Sequence, residues 1–475
     1  MNLPNLFLAD LPREAVLTPS LVRDACIAVK RNRAAWLATR PVQELVELLA
    51  YAAERWREPE FGFRRLALER GPAELGMGVA TLARGLDDFL HQLTVEGQTA
   101  LLTQDLGDVR RLDEFCGPAP ELRQGRTAFA SGPELLVHVA AGTLPSSSLM
   151  GLVLGVLTKS AQFLKLSSRC NIVTRLFAHS LADLEPKLGR CLEMATWPGG
   201  TESLEAALWE QADCLRVEGS DEAVAAIRAR VGSRTRFIGH GHRLSFGFVA
   251  HEALSGYLAR KVAARAAADV TAWNQLGCLS PHVIYVEERG SMSPEGFAEL
   301  LAGALEEREA AEPRGNLTVE EAAEIRTRRS LHELRARRHL QEREGAETMP
   351  RGAFFDPPGQ GTRVWGPTDS TAWTVVYEDD LSFRPSCLNR FIYVKPCADL
   401  SRILQAAEVV HGRVSTVGVA APEGRMQELA AALARWGVTR VCPLGRMQQP
   451  PLAWRHDGRP PLASLVTWTD VELGP

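Results

Sequence analysis

The spacing of apolar positions changes character along the chain. Between residues 17 and 112 apolar side chains recur at helical intervals. Leu21 and Val22 show this in 18–37, and Leu45, Val46, Leu48, Leu49, Tyr51 and Ala52 show it in 43–60. This period predicts helices. Residues 64–93 continue it, broken at Gly71 and Gly76. Phe61, Phe63 and Phe89 read as core side chains of this helical region. Nothing in it points to chemistry.

From about Glu134, short apolar runs alternate with helix-length segments. Strands are predicted at 135–140, 161–166, 191–197, 214–218 and 236–238, with helices at 147–158, 172–184, 201–210 and 221–230. Such a repeat implies a mostly parallel sheet covered on both faces. Ser220 stands as an N-cap before Asp221 and Glu222, whose charge favours a helix start. Sheets of this type bind ligands beyond the carboxyl ends of their strands.

The second half begins with a predicted helix at 246–269, interrupted by Gly247 and Gly256, and a strand at 283–286. Ser293-Pro294-Glu295 opens another helix. Thr318 and Glu321 form a capping box before a run of interleaved arginine and glutamate to about Arg343. Interleaved signs describe a solvated helix with intrahelical pairs, not a nucleic-acid surface. A proline- and glycine-rich loop is expected at 349–366. Strands follow at 372–378, 389–396, 414–419 and 439–442, with helices at 400–409 and 427–436. The tail is dense in proline and tryptophan and carries an Asp457-Gly458 turn. It reads either as a segment that docks on the first domain or a partner subunit, or as an ordinary structured end.

A chain of 475 residues is too long for one core, so two large domains are expected. The boundaries drawn are 1–125 for the helical flank, 126–245 for a dinucleotide-binding domain, 246–435 for a catalytic domain and 436–475 for the tail. A net charge of −4 gives no electrostatic reason to expect nucleic acid. No apolar run is long enough to span a membrane, and the first residues lack a signal-peptide pattern. Nine scattered cysteines without a CxxC pair suit free thiols in a reducing compartment, so a cytoplasmic protein is expected.

One stretch carries the strongest candidate chemistry. Cys278 follows Gly277 and precedes Ser280-Pro281-His282, then the strand at 283–286. A cysteine at a turn into a buried strand is reachable and rigidly held, as a covalent thiolate catalyst requires. The alternative is a small buried hydrophobe. No strict GxGxxG is present. Three strand–helix corners are candidates for a nucleotide: Gly142-Thr143-Leu144-Pro145, Lys165 with Ser167 to Arg169, and Gly219-Ser220 at a helix start. A strand-end lysine is otherwise a solvated charge. Gly239-His240-Gly241-His242-Arg243 has no carboxylate or cysteine at ligand spacing, so no metal is expected there. His242 reads as an acid or base, with His240 beside it.

Together these residues resemble the acyl-CoA reductases of the bacterial bioluminescence fatty-acid reductase type, within the aldehyde dehydrogenase superfamily. The likeness runs from about residue 130 to the C-terminus. It rests on Asn274-Gln275 through Cys278-Leu-Ser-Pro-His282, on Phe237-Ile-Gly-His-Gly-His, and on the tail from Pro443 to Pro460 with Trp468. The resemblance implies an α/β, aldehyde dehydrogenase-like fold: a Rossmann-type dinucleotide domain, an α/β catalytic domain and a C-terminal docking or oligomerisation segment. It places the nucleophile at Cys278, the cofactor lysine at Lys165 and the Gly-Ser cofactor corner at Gly219 and Ser220.

The chain departs from the superfamily pattern at three positions. Thr143 stands where an asparagine helps hold the thioester oxygen, which shifts oxyanion stabilisation toward the backbone N–H of Cys278. The loop 239–243 lacks the water-activating glutamate of aldehyde-oxidising members. Ser168 stands where a glutamate often follows the cofactor lysine, and Arg169 comes next. An uncharged residue with an arginine favours a 2′-phosphate, so NADPH is the cofactor expected, with NADH as the alternative. The implied activity is reduction of an acyl-CoA, of the fatty acyl class, to the aldehyde through a cysteine thioester. The rivals are aldehyde oxidation to acyl-CoA or acid, and a catalytically idle scaffold. A homo-oligomer is expected, as is a companion enzyme that supplies the acyl group or consumes the aldehyde.

Overall fold

A computed structural model describes residues 3–12, 14–140, 142–167, 169, 171–343 and 361–472. Ser168 and most of the loop expected at 349–366 lie outside the described residues. The chain divides into two compact units. One comprises Met1–Leu75, Ala83–His242 and Pro451–Pro475; the other comprises Gly76–Leu82 and Arg243–Pro450.

In the first unit, β1 (Arg126–Ser131) pairs antiparallel with the last strand of the chain, Thr467–Glu472. Neither was expected as a strand. The main sheet holds β2 (Leu135–Val139), β3 (Ala161–Leu166), β4 (Leu192–Thr196), β5 (Cys214–Glu218) and β6 (Arg236–His240). All neighbours are parallel, in the order β4-β3-β2-β5-β6. Connections leave β2 toward β3 and β4, while β5 and β6 lie on its other side. The strand order therefore reverses between β2 and β5, which opens a crevice at their carboxyl ends.

Helix Pro19–Ala35 covers one face of this sheet: Val22, Cys26 and Val29 share a buried cluster with Leu135, Val137, Phe163 and Val217. Helix Pro145–Leu157 is buried on nearly all its positions, as its almost uninterrupted apolar sequence requires. A Cβ on Gly155 would stand 2.1 Å from Gln162 Cδ, so only glycine allows this helix to lie against β3.

The second unit is built on seven strands: β7 (Leu244–Val249), β8 (Pro281–Glu287), β9 (Arg363–Trp365), β10 (Thr374–Tyr377), β11 (Phe391–Cys397), β12 (Val414–Ala420) and β13 (Arg440–Pro443). Their order is β13-β12-β7-β8-β11-β10-β9, all parallel except β9 against β10. Along β8, Ile284 and Val286 join the cluster of Val262, Ala266, Phe297 and Leu301. Val283 and Tyr285 face the cluster of Leu400, Ile403, Leu429 and Leu433.

Two expectations are corrected here. The helix expected at 246–269 is a strand followed by a shorter helix, Tyr257–Thr271. Every residue of β7 is buried, so its sequence lacks the alternation that marks a half-exposed strand. The tail expected at 436–475 is also divided. Residues up to Pro450 belong to the second unit, where β13 completes the sheet, and Pro451 onward belongs to the first.

Candidate active site

Cys278 lies in the five-residue link between a 3-10 turn, Ala272–Gln275, and β8. Its thiol-bearing residue is exposed, while Gly277 and Leu279 on either side are buried. The preceding backbone is unusual: Trp273, Asn274 and Gln275 all have positive φ, at 50°, 52° and 65°. Each such residue costs roughly 1–3 kcal/mol and persists only where its surroundings impose it. Buried polar contacts do so here. Asn274 donates to Arg314 O at 2.7 Å and accepts from Arg390 Nε at 3.1 Å. Gln275 Nε2 donates to Pro281 O at 2.8 Å and Phe391 O at 2.9 Å.

The link itself is clamped from both sides. Ser245, on β7, donates to the carbonyl of Cys278 at 2.8 Å and accepts from Thr416 N at 3.1 Å. Gln448 donates to Ser280 Oγ, and Ser280 N donates back to Gly277 O at 2.9 Å. His282 is buried and accepts from Ser386 N at 3.1 Å through Nδ1, which places the ring proton on Nε2. An accessible thiol on a backbone held this firmly is suited to covalent catalysis. Gln275 belongs to the stretch that carried the family resemblance, whereas the clamps Ser245, Arg390 and Gln448 carried no sequence signal of their own.

In the first unit, the candidate nucleotide residues gather at the carboxyl ends of the strands. Lys165, near the end of β3, is half-buried and has no hydrogen-bond or ion-pair partner among the described residues. Burial pushes its ammonium below the usual lysine range, partly offset by Glu205. Thr143 is exposed in the turn before helix Pro145–Leu157, whose first turn has no side-chain cap. The neighbouring loops after β2 and β3 touch: a Cβ on Gly142 would meet Ser167 Oγ at 2.6 Å. Arg169 is exposed, its N–H donated to Ser167 Oγ at 3.2 Å. Ser168 is outside the described residues.

At the Gly219-Ser220 corner, Ser220 caps Ala223 N at 3.2 Å, and Gly219 N donates to His240 O at 3.2 Å. These two N–H groups are engaged within the protein, and Asp221 and Glu222 place negative charge in the first turn of the helix. His242 is exposed, and its N–H is held by Asp221 Oδ1 at 2.9 Å.

His240, at the end of β6, is buried and joined by partners from the tail. Its Nδ1 lies 2.8 Å from Asp457 Oδ2, and its ring stacks on His456 at 4.2 Å and 10°. The carboxylate missing near the glycine–histidine loop is thus supplied from 217 residues away. One ligand atom from each of the three residues falls within 4.8 Å of the others. Near-parallel rings aim their lone pairs side by side, not at one point, so this geometry is that of a hydrogen-bonded pair and not a metal cage. Glu218, beside His240 on β5, is committed to Arg216 at 2.5 Å. Burial opposes its charge, but Arg216 and the histidines hold the carboxyl down to about 2.

A profile of the family described as acyl-CoA reductase (LuxC) matches residues 37–468. The chain belongs to this acyl-CoA reductase family. A long-chain acyl-protein thioester reductase of Aliivibrio fischeri is 23% identical over 437 residues, covering 91% of this chain and 82% of that protein. Among solved structures, a NAD-dependent benzaldehyde dehydrogenase from Corynebacterium glutamicum aligns with a TM-score of 0.66 at 14% identity, over 96% of this chain and 91% of the other. The bifunctional proline utilization A protein aligns with a TM-score of 0.67 at 18% identity, over 98% of this chain but 46% of its own. These likenesses establish the aldehyde dehydrogenase fold. As an acyl-CoA reductase family member the chain is an acyl reductase, and Cys278 is its exposed cysteine among the described residues.

Proposed function

We propose that this protein reduces a fatty acyl thioester to the aldehyde with NADPH, through a thioester on Cys278. The observation that carries the reading is the exposed thiol of Cys278, three residues beyond a left-handed run at 273–275 that Asn274 and Gln275 hold by buried hydrogen bonds. The fit of a nicotinamide dinucleotide rests on the crevice between β2 and β5 and on Lys165, a half-buried cation without a partner among the described residues. Lys165 would hold ribose or phosphate oxygens, and Arg169 would meet a 2′-phosphate. When bound, the reduced nicotinamide supplies a hydride to the acyl carbon.

The chain's own residues do the rest. The Cys278 thiolate attacks the carbonyl carbon, a new C–S bond forms, and the bond to the leaving thiolate breaks. That thiolate takes up the proton that Cys278 gave away. After reduction, the Cys278 hemithioacetal collapses, releasing the aldehyde and restoring the thiolate. The loop 239–243 carries histidines and no glutamate, which suits exchange of acyl groups between thiols over hydrolysis.

Acyl-CoA is the donor of this proposal. The second reading is an acyl group presented as a thioester on another protein, favoured by the name of the Aliivibrio fischeri relative. Among the described residues, no helix is long and apolar enough to cross a membrane. Assembly into a homo-oligomer, a cytoplasmic location and a companion enzyme belong to the proposal as well.

Incubation with a long-chain acyl-CoA, without reductant, tests the mechanism. One acyl mass on the peptide containing Cys278, absent in Cys278→Ala, is the expected result. Label on another cysteine, or none from either acyl donor, overturns it.

A further inference from the structure

Asp269 is an acid where both its helix and its surroundings oppose one. It is buried in the last turn of helix Tyr257–Thr271, where the peptide dipoles disfavour negative charge. Ala266 and Val270 of the same helix share an apolar cluster with Leu444 and Met447. Burial pushes the carboxyl up to about 7 from an ordinary 3.8, against the pull of two backbone N–H groups and Arg440. A raised folded-state value means that ionising Asp269 costs the folded chain stability as pH rises from 3.8 toward 7.

What this carboxylate holds is the loop after β13. Its Oδ2 accepts from Gly445 N at 2.5 Å, and its Oδ1 accepts from Met447 N at 2.9 Å. With one N–H on each oxygen, the geometry calls for the ionised form. Arg440, on β13, takes carbonyls of the same loop: it donates to Met447 O at 2.7 Å and to Arg446 O at 2.8 Å. Gly445 turns the chain at a positive φ of 93°. Met447 seats against Gly418 of β12, where a Cβ would stand 2.6 Å from its sulfur. The next residue is Gln448. It donates to Ser280 Oγ, and Ser280 N donates to Gly277 O at 2.9 Å, which closes the turn that carries Cys278. Every member of this path belongs to the second unit.

We propose that Asp269 is a positioning residue for acyl transfer to Cys278: its carboxylate fixes the loop 445–447 so that Gln448 holds Ser280, and Ser280 holds the turn that presents the thiol. This rests on the reading of Cys278 as the acyl carrier. Asp269 acts through the loop and not on the substrate. It narrows the positions open to the Cys278 backbone, and a small displacement of a nucleophile lowers the share of encounters in attack geometry.

The test is the time course of acyl transfer from a long-chain acyl-CoA to the full-length protein, without reductant, followed by mass on the Cys278 peptide. Rates are compared above about pH 8, where the Asp269 carboxylate is ionised. Asp269→Asn keeps the shape but turns an amide donor toward one of the two N–H groups. It should slow acyl transfer roughly tenfold, as should Gln448→Ala, with the full labelling amplitude still reached in each. The double variant should be no slower than the slower single, because both residues act through one path. A reduced amplitude at the wild-type rate would mean only fewer folded molecules and overturns the proposal. Losses that multiply in the double variant overturn the path through Gln448. Gln448 is part-exposed, so Gln448→Ala decides the matter even where Asp269→Asn does not fold: a wild-type rate in it overturns the proposal. No label on Cys278 in wild type overturns the underlying reading as well, whereas a wild-type rate in Asp269→Asn overturns the positioning role alone.

Discussion

The hydroxyl of Ser245 donates a 2.8 Å hydrogen bond to the carbonyl of Cys278, which ties the first residues of a central strand to the candidate nucleophile. The same oxygen accepts from Thr416 N, so one buried side chain satisfies two backbone groups. Ser245→Ala leaves both unsatisfied, at a cost of about 1–3 kcal/mol. The expected outcome is a lower denaturant midpoint and an acylation rate at Cys278 slowed roughly tenfold. An unchanged acylation rate in a folded variant would separate this bond from catalysis.

Gln275 holds the left-handed run from within. Its Nε2 donates to two backbone carbonyls, Pro281 O and Phe391 O. Gln275→Ala strips both, and the backbone conformation it supports has no intrinsic stability. A loss of about 2–4 kcal/mol is expected from two buried acceptors left bare. Faster alkylation of Cys278 should accompany it, as the turn loosens. Urea titration and iodoacetamide kinetics read the two effects separately.

Lys165 is the proposed cofactor contact most open to a direct test. Replacement by alanine should raise the KM for the nicotinamide cofactor about 10- to 150-fold, corresponding to a charged contact of roughly 1.5–3 kcal/mol. Acyl transfer to Cys278 without cofactor should be untouched. Burial lowers the ammonium's pKa, so its charge is lost at a lower pH than that of an exposed lysine. Cofactor affinity should therefore weaken early on the alkaline side in wild type and not in Lys165→Arg.

Cofactor choice tests the Arg169 corner. Wild type should use NADPH with the higher kcat/KM, and Ser168→Glu should reverse the order by placing a carboxylate against the 2′-phosphate. Arg169→Ala should lose about tenfold for NADPH and little for NADH. Equal use of both cofactors by wild type would show that this corner does not select.

Glu287, at the end of β8, makes an acid-sensitive joint in the second unit. It accepts from Arg425 at 2.8 and 2.9 Å and from His251 at 2.8 Å. Burial opposes its charge, yet Arg425 and His251 bring the carboxyl down to about 2 from an ordinary 4.5. A lowered folded-state value means that its stabilisation is complete above 4.5 and is lost as pH falls toward 2. Arg425→Gln should lower the urea midpoint at neutral pH, and the gap to wild type should close in acid. A gap independent of pH would assign the effect to packing.

What the sequence determined was local. Ser220, Ser293 and the Thr318–Glu321 box cap the helices they were assigned to, because a cap is a contact between residues three apart. The βα repeat was readable for a similar reason: each strand and helix of the first sheet carries its own period. The exposed position of Cys278 before a buried strand was legible from its glycine and the apolar run after it. The strand β7 was not: its apolar residues run on toward the helix Tyr257–Thr271, and a short buried strand cannot be told from a buried helix segment by period alone. Tertiary structure alone decided the remainder. Asp457 reaches His240 across 217 positions, Arg390 reaches Asn274 across 116, and β1 finds its partner at the far end of the chain. No local pattern encodes such pairs: each exists only once burial has brought distant segments together and left their polar groups nothing else to bond.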